Sequence, residues 1–283
     1  MFRQSDYFGR KVALLTQHGK ERVIAPILEP GLGCVIEHVT SFDTDKFGTF
    51  TRETPRPGSQ LDAARRKARK GMELAGLSLG LASEGSFGPD PMTGMFQWNV
   101  ELLVWIDDDL GTEIVGMAQG AARSGEIQSS DWQEIAAFAE RAGFPQHWLV
   151  LRPDGQDGPR IHKGIADWAR LRTCFDEEIT VSSSRQVYVE LDLRAFANPS
   201  RMRHIERATG DLLQRIQSRC PTCHSPGFWI TERQPGLPCS ACSLPTSSYR
   251  SEVWACQRCQ HRRVEERTDR SKADPAHCAY CNP

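Results

Sequence analysis

The sequence predicts an α/β domain, with a mixed sheet and flanking helices, followed by a smaller cysteine-rich module. Three observations support this fold class. From Lys11 to about Arg219, short apolar runs alternate with longer segments of helical periodicity. Two apolar runs flank a turn at residues 107–111, which indicates a hairpin and therefore a sheet that is not purely parallel. Eight of the 10 cysteines lie between Cys220 and Cys281, where the apolar periodicity ends.

The predicted strands are short apolar runs bounded by turn residues. They fall, in chain order, at residues 11–16, 34–39, 77–85, 101–118 (the hairpin), 148–153 and 187–191. The predicted helices fall at residues 21–28, 59–76, 129 or 130 to 142, 164–175, and 198 or 200 to 218. Ser59 and Gly76 are the start and stop signals of the second helix, and Asn198 followed by Pro199 is the start signal of the last. We therefore expect a domain at 1–219 and a module at 220–283.

The charge balance of the chain gives no general electrostatic reason for it to bind polyanions. The chain has 283 residues, with 35 Lys and Arg, 36 Asp and Glu, and a formal net charge of -1. Such a chain has no overall attraction to nucleic acid or to an anionic membrane, so binding of that kind needs local clustering. The first residues carry no export signal, and no run of about eighteen apolar residues occurs. We expect a soluble, cytoplasmic protein with no membrane partner.

The cysteines of the module form four CxxC pairs. They are Cys220 and Cys223, Cys239 and Cys242, Cys256 and Cys259, and Cys278 and Cys281. Because zinc prefers four thiolates in a tetrahedron, and one pair supplies two of them, four pairs predict two zinc ions in zinc ribbons. Protein ligands fill all four positions of each ion, so both sites are expected to be structural.

The spacing leaves the ligand pairing open between neighbouring and interleaved knuckles. We favour neighbours, with the first two pairs on one ion and the last two on the other. His224, His261 and His277 lie near the cysteines, but four thiolates per ion make them unnecessary as ligands. Cys34 and Cys174 have no CxxC partner and are expected to be small buried residues.

A short loop after the first predicted strand is a candidate anion site. Thr16, His18 and Lys20 stand in the segment TQHGK, which opens a helix. Backbone N–H groups at a helix start, beside a Gly and a Lys, can hold phosphate or carboxylate. The alternative is a plain strand-to-helix turn in which Thr16 caps the helix and Lys20 is solvated.

Two further segments add acidic and basic groups. The first, residues 42–53, is rich in hydroxyls and carboxylates, ends at Glu53, and precedes a basic helix in which Lys67 could turn toward a site. The second, residues 82–91, follows a strand and contains Glu84 and Ser86. Carboxylates at strand ends suit magnesium, which needs oxygen ligands, so Glu53 and Glu84 are its candidate ligands. Asp90 and Asp192 are further candidate ligands. The alternative for Glu84 is a plain turn residue, because Glu is common in turns.

The segment after the last predicted strand carries two arginines. Arg194 and Arg201 could hold phosphate oxygens with their planar guanidinium groups. Asp192 could instead pair with Arg194, and Lys163, before another helix, is a further anion ligand or a solvated lysine.

The segments TQHGKERVIAPIL, GTFTRE, DAARRKARKG and LASEGSFGP, in that order, resemble the loops of inosine triphosphate pyrophosphatase-like enzymes. That resemblance covers about the first ninety residues and implies a site for a nucleoside triphosphate and magnesium. His18 stands where those enzymes have Asn, and the single Glu84 stands where two aspartates are usual. The whole chain resembles more closely a bacterial family of uncharacterised proteins, through KVALLTQHGKE, FDTDKFGTF, ASEGSFGP, HKG, DLRAFANPSRM, CPTC, GLPCSAC and CNP. This second resemblance implies an α/β domain with a zinc-ribbon tail and no particular activity.

These patterns lead to two hypotheses. The first is a magnesium-dependent hydrolase of a nucleotide or another phosphorylated small molecule. In it, Lys20, Glu53, Glu84 and Arg194 act in catalysis, and substrate is bound by Thr16, His18, Lys67, Ser86, Lys163 and Arg201. The second is a factor without catalytic activity that binds nucleic acid or protein through its zinc module. An enzyme that uses the module to hold a nucleic-acid substrate combines both.

Overall fold

The computed structural model describes residues 6–42, 58–123, 125–158 and 160–283. The chain folds as two compact units, the first formed by residues 1–106 and 115–212 and the second by residues 107–114 and 213–283. The first unit alternates strands and helices, which confirms the predicted α/β class. No helix in the described ranges is both long enough and apolar enough to cross a membrane.

Five strands form the first sheet of the first unit. They are β1 (Lys11–Leu15), β2 (Val35–Val39), β3 (Leu79–Pro89), β4 (Gln97–Asp107) and β5 (Thr112–Ala121), in the spatial order β2-β1-β3-β4-β5. Strand β1 pairs in parallel with both β2 and β3. The predicted hairpin corresponds to β4 and β5, which are neighbours in this sheet.

Two helices accompany this sheet, α1 (Glu21–Leu32) and α2 (Gln60–Ala75). The start and stop signals of α2 act as expected. The Ser59 side chain and Asp62 form a reciprocal capping box, and Gly76 ends the helix in the left-handed conformation. Ala64, Ala68 and Met72 of α2 pack with apolar residues of β3 and β4, which fixes this helix against the sheet.

Four strands form a second sheet, which the sequence did not separate from the first. They are β6 (Glu126–Ser129), β7 (Leu149–Pro153), β8 (His162–Ile165) and β9 (Val187–Leu191), in the order β6-β9-β7-β8 with antiparallel pairing throughout. Helices α3 (Trp132–Ala142) and α4 (Trp168–Val181) share a core with it. The N-cap of α3 is Asp131, which accepts a hydrogen bond from the Gln133 N–H, so the predicted start at Ser129 or Ser130 was early.

A short 3-10 turn, Ala195–Ala197, follows β9 and leads into the last helix, α5 (Pro199–Gln217). The side chain of Asn198 accepts a hydrogen bond from the Arg201 N–H at 3.0 Å. Asn198 therefore caps α5, as its sequence predicts.

The second unit contains a three-stranded antiparallel sheet. Its strands are β10 (Trp229–Pro235), β11 (Tyr249–Ala255) and β12 (Arg262–Glu266), in that spatial order. The chain therefore runs along the sheet, returns, and runs along it again. Each CxxC pair lies before, between or after these strands.

Candidate functional site

The loop after β1 lies beside the middle of β3, which continues to Pro89, so Glu84 and Ser86 lie within a strand and not after one as the sequence predicted. The register of β1 and β3 pairs Leu14 with Leu81 in parallel strands, so the residues that follow each of them lie close together. The Lys20 ammonium crosses between the two and donates to the Ser83 carbonyl at 3.1 Å. Lys20 is only 5% exposed, so it is not the solvated lysine of a plain turn.

Lys67 of α2 joins this cluster through Glu84. Its ammonium lies 2.7 Å from Oε2 of Glu84, and both side chains are nearly buried. Gln60, at the start of α2, donates to the Glu84 carbonyl at 2.7 Å and accepts from the Ser86 hydroxyl at 2.9 Å. Ser86 thus positions α2 on β3, and Lys67 turns inward as the sequence analysis allowed.

Arg201 enters from α5 and meets a residue that the sequence analysis did not select. Its Nε donates to Oε1 of Glu101 at 2.6 Å, and its Nη1 donates to the Leu193 carbonyl at 2.7 Å. Asn99 donates to the same Glu101 oxygen at 3.1 Å and lies 2.8 Å from Nδ1 of His204. A carboxylate inside the apolar run of β4 was the signal that could have revealed Glu101.

Glycine at position 85 makes room for that pair. A Cβ atom at Gly85 would lie 2.1 Å from Oε1 of Glu101 and 2.6 Å from Nη2 of Arg201. A side chain at this position of β3 is therefore incompatible with the buried ion pair.

Arg194 pairs with Asp192, as one alternative proposed. Its Nε lies 2.9 Å and 3.1 Å from the two Asp192 oxygens, and its Nη2 lies 2.5 Å from Oδ2. The Asp192 carboxylate is fully buried, whereas the Arg194 side chain is 22% exposed. Lys163 is half-buried and stands in β8, next to Gly164, where an added Cβ would lie 3.3 Å from Nη2 of Arg194.

The positive charges act on one another. Burial and the charges of the neighbouring Arg201 and Lys67, against the opposing effect of the carboxylates, lower the pKa of Lys20 to about 7. Burial, with the charges of Lys20, Arg201, Lys67 and Arg194, lowers the pKa of His18 to about 3. His18 is therefore neutral at physiological pH.

Thr16 and Asp90, two further predicted site residues of this domain, lie outside the network of charged side chains described above. Thr16 is buried, and its hydroxyl accepts from the His18 N–H at 3.4 Å. Asp90 accepts hydrogen bonds from the backbone N–H groups of Met92, Thr93 and Phe96, which makes it a turn residue. Glu53 lies outside the described residues.

The cysteines of the second unit form two groups within the part of the chain that the structure describes. One contains Cys220, Cys223, Cys256 and Cys259, and the other contains Cys239, Cys242, Cys278 and Cys281. In each group the ligand atoms lie within 4.8 Å of one another. The predicted neighbouring arrangement was wrong, because each strand of the antiparallel sheet carries the chain from one group to the other. The first knuckle therefore meets the third, and the second meets the fourth.

The sulfur positions fit a tetrahedral metal ion. Zn–S bonds of about 2.3 Å place tetrahedral sulfurs about 3.8 Å apart. The Sγ atoms of Cys220 and Cys259 are 3.6 Å apart, and those of Cys242 and Cys278 are 3.7 Å apart. The neighbouring Cys242, burial and the other thiols raise the pKa of Cys281 to about 12, because several thiolates cannot coexist closely without a cation.

The knuckles share one backbone turn. The N–H groups of His224, Ser243 and Gln260 donate to the carbonyl of the first cysteine of their knuckle, and all three residues have φ near +60°. His224 is thus a turn residue, and neither cysteine group includes a histidine. Cys34 and Cys174 are buried, as expected.

Arginines of the second unit are engaged with carboxylates and aromatic rings. The ion pairs are Arg233 with Glu252, Arg250 with Glu266, Arg262 with Glu232, Arg263 with Glu265, and Arg267 and Arg270 with Asp269. Arg267 also lies 4.0 Å from the centre of the Tyr249 ring. These pairs form a mixed-charge surface, and exposed pairs of this kind contribute little to stability.

An α/β unit with a buried charge cluster, and a second unit with two four-cysteine groups that could each hold a metal ion, define the class of this protein. The chain belongs to the family described as Domain of unknown function (DUF6671), whose profile matches residues 67–283. No curated protein matches the chain. The resemblance of the first ninety residues to inosine triphosphate pyrophosphatase-like enzymes therefore stays a prediction.

Proposed function

We propose that the first unit binds a phosphorylated small molecule and hydrolyses it with the help of Mg²⁺. The binding site is the Lys20 cluster, which consists of Lys20, Lys67, Arg194 and Arg201 with the carboxylates of Glu84, Glu101 and Asp192. In the second unit, two zinc ions then hold the four-cysteine groups and have a structural role. The proposal depends most on the surroundings of Lys20. It is a buried cation that stands beside two others, Lys67 and Arg201.

Lys20 stands at the start of a helix, and this position adds to the electrostatic repulsion that its ammonium group meets when no anion is bound. Lys20 is the N-cap of α1 and supplies no side-chain acceptor to the helix, whereas Ser59, Asp131 and Asp167 do so for α2, α3 and α4. The N-terminus of a helix carries partial positive charge, which repels a cation and attracts an anion. A bound phosphate group would relieve the repulsion.

The charges of the described cluster favour binding of an anion. It has four cationic side chains, Lys20, Lys67, Arg194 and Arg201, against three carboxylates, Glu84, Glu101 and Asp192. Each carboxylate faces a cation, so the formal surplus is +1 when Lys20 is protonated. Such a surplus in a low-dielectric site stabilises the negative charge of phosphoryl oxygens.

Hydrolysis would use one water molecule. Its oxygen bonds to phosphorus, the bridging P–O bond breaks, and a proton is released. Mg²⁺, held by Glu84 together with substrate phosphate oxygens, would supply Lewis-acid polarisation of the phosphate. Lys20 and Arg201 would offset the charge that develops on the phosphoryl oxygens, and Lys67 would orient Glu84 through their ion pair.

The test measures release of phosphate or pyrophosphate from nucleoside triphosphates by the full-length, zinc-loaded protein with Mg²⁺. Lys20→Met and Glu84→Gln should each lower turnover by at least about a hundredfold. Lys11→Met is the matched control, because this lysine is exposed on the other end of β1 and should leave turnover unchanged. Unchanged turnover in both cluster variants, with folding intact by circular dichroism, would contradict the proposal.

The alternative, binding of nucleic acid or protein through the zinc module, has weaker support. The arginine pairs described above use much of the positive charge of that surface. Salt-sensitive binding of RNA by the full chain, without any turnover of nucleotides, would favour this alternative.

A further inference from the structure

An aromatic ring at the rim of the Lys20 cluster has no part in the proposed function so far. Phe196 is the middle residue of the turn between β9 and α5, and its neighbours Ala195 and Ala197 are fully buried. Phe196 itself is 38% exposed. The turn thus anchors itself through two small side chains and directs the large one outward.

Phe196 contacts Arg194 of the cluster and His18 of the loop after β1. The Arg194 guanidinium lies 4.8 Å from the ring centre, and the His18 ring lies 5.7 Å away. His18 is two residues from Lys20, and its pKa is affected by Lys20, Lys67, Arg194 and Arg201. Phe196 therefore lies next to the proposed phosphate site.

The aromatic neighbours of Phe196 in the described residues do not stack on its ring. The rings of His18 and Trp148 meet Phe196 at 60° and 73°, so both contacts are tilted or edge-on. None of the ring pairs that Phe196 forms with described residues is parallel. The Arg194 guanidinium lies over one face of the ring, so a planar ligand group would stack on the opposite face.

The backbone holds this ring in place. The Ala197 N–H donates to the Arg194 carbonyl at 3.1 Å, and the Trp148 N–H donates to the Ala197 carbonyl at 3.0 Å. These bonds fix the turn to the second sheet. A fixed aromatic side chain loses little conformational entropy when a ligand binds.

We propose that Phe196 is a stacking platform for the base of a nucleotide whose phosphates bind at the Lys20 cluster. This inference rests on the proposed function and narrows its substrate class from phosphorylated small molecules to nucleotides. A substrate with one anionic end and one planar aromatic end matches the two adjacent parts of the site. His18, which is neutral, borders the ring without adding charge.

The experiment compares two ligands in which a methylene group replaces the bridging oxygen between two phosphorus atoms, so that the bridge cannot be hydrolysed. One is methylenediphosphonate, and the other is the α,β-methylene diphosphate of each common nucleoside. Calorimetric titration of the full-length protein gives Kd values for wild type, Phe196→Leu and Phe196→Trp. Phe8→Leu is the control, because Phe8 is 62% exposed, packs near Gly33, and precedes β1 at the opposite end of that strand.

Phe196→Leu should weaken binding of at least one nucleoside ligand by about tenfold. It should change the Kd of methylenediphosphonate by less than about twofold, since that ligand has nothing to stack. Phe196→Trp should retain nucleoside binding, and Phe8→Leu should change neither Kd.

The possible failures are distinguishable. If wild type binds neither ligand, the anion site and the proposed function fail together. If methylenediphosphonate binds but Phe196→Leu leaves every nucleoside ligand unaffected, the platform is wrong while the anion site stands. An equal loss of both ligands in Phe196→Leu also overturns the platform, because the effect is then not specific to the base.

Discussion

Nε of Arg201 lies 2.6 Å from Oε1 of Glu101, and the two side chains are 1% and 0% exposed. Such a pair joins α5 to β4 through charges that water cannot screen. A buried pair is not necessarily stabilising as a whole, because desolvation offsets the attraction between its members. Removal of one partner is different, since it leaves a charge buried alone.

Arg201→Met should therefore lower the free energy of unfolding by about 3–5 kcal/mol. The double variant Arg201→Met with Glu101→Gln should recover a large part of that loss, because no unpaired charge is then buried. Urea unfolding followed by circular dichroism measures both values. A double variant less stable than the single one would show that the pair has another role.

Gly85→Ala tests the close approach of β3 to the same pair. The added Cβ would overlap Glu101 and Arg201, so we expect a loss of about 1–3 kcal/mol in unfolding free energy. Gly88→Ala, on the same strand, is the matched control, since a Cβ there meets nothing within 4 Å. Equal stability of the two variants in urea titrations would contradict the packing described for Gly85.

The lowered pKa of Lys20 predicts a pH dependence of anion binding. Sulfate keeps its charge between pH 6 and about pH 9, and it should bind best when Lys20 is protonated. Its Kd should rise as pH increases above about 7, by at most about tenfold per pH unit. Lys20→Arg stays charged, so its Kd should vary less over the same range. A wild-type Kd that is constant from pH 6 to 9 would refute this expectation.

The same shift has the opposite consequence for stability. The pKa of Lys20 falls from an ordinary value of 10.5 to about 7, so the unfolded chain binds the proton more tightly. Lys20 therefore destabilises the fold below about pH 7, and this effect is lost progressively as pH rises toward 10.5. Urea unfolding of wild type and of Lys20→Met at pH 6 and pH 9 measures this contribution of Lys20 to the free energy of unfolding. The stability difference should be larger at pH 6.

The interleaved cysteine groups predict how zinc is lost. Cys220→Ser with Cys256→Ser removes two ligands of one group, so the double variant should retain about one zinc per chain. Cys220→Ser with Cys239→Ser affects both groups and should retain none. Inductively coupled plasma mass spectrometry on the purified protein gives the number of zinc ions per chain. Neighbouring pairing would exchange the two results.

Local signals were sufficient to predict several elements. Helix α2 was expected from Ser59 to Gly76, and both residues cap it, because helix ends depend on residues within one turn. The cap of α3 was misplaced because Ser129, Ser130 and Asp131 are all acceptable N-caps by type. The choice among them depends on where β6 ends.

Long-range relationships were harder to predict. Glu101 and Arg201 are 100 positions apart, and neither spacing nor periodicity connects them. The CxxC spacing predicted metal binding because ligand geometry is local to each knuckle. It did not predict the pairing, which depends on the antiparallel course of β10, β11 and β12.

The interleaved ligand sets also need different lengths of the chain to be complete. The first set is complete once the chain reaches Cys259, although Cys239 and Cys242 precede it in the chain. Those two thiols stay without their ligand partners until Cys278 and Cys281 follow. A chain cut after Cys259 would therefore keep one complete ligand set, whereas Cys239 and Cys242 would lack their partners and be open to oxidation or to capture of a wrong metal.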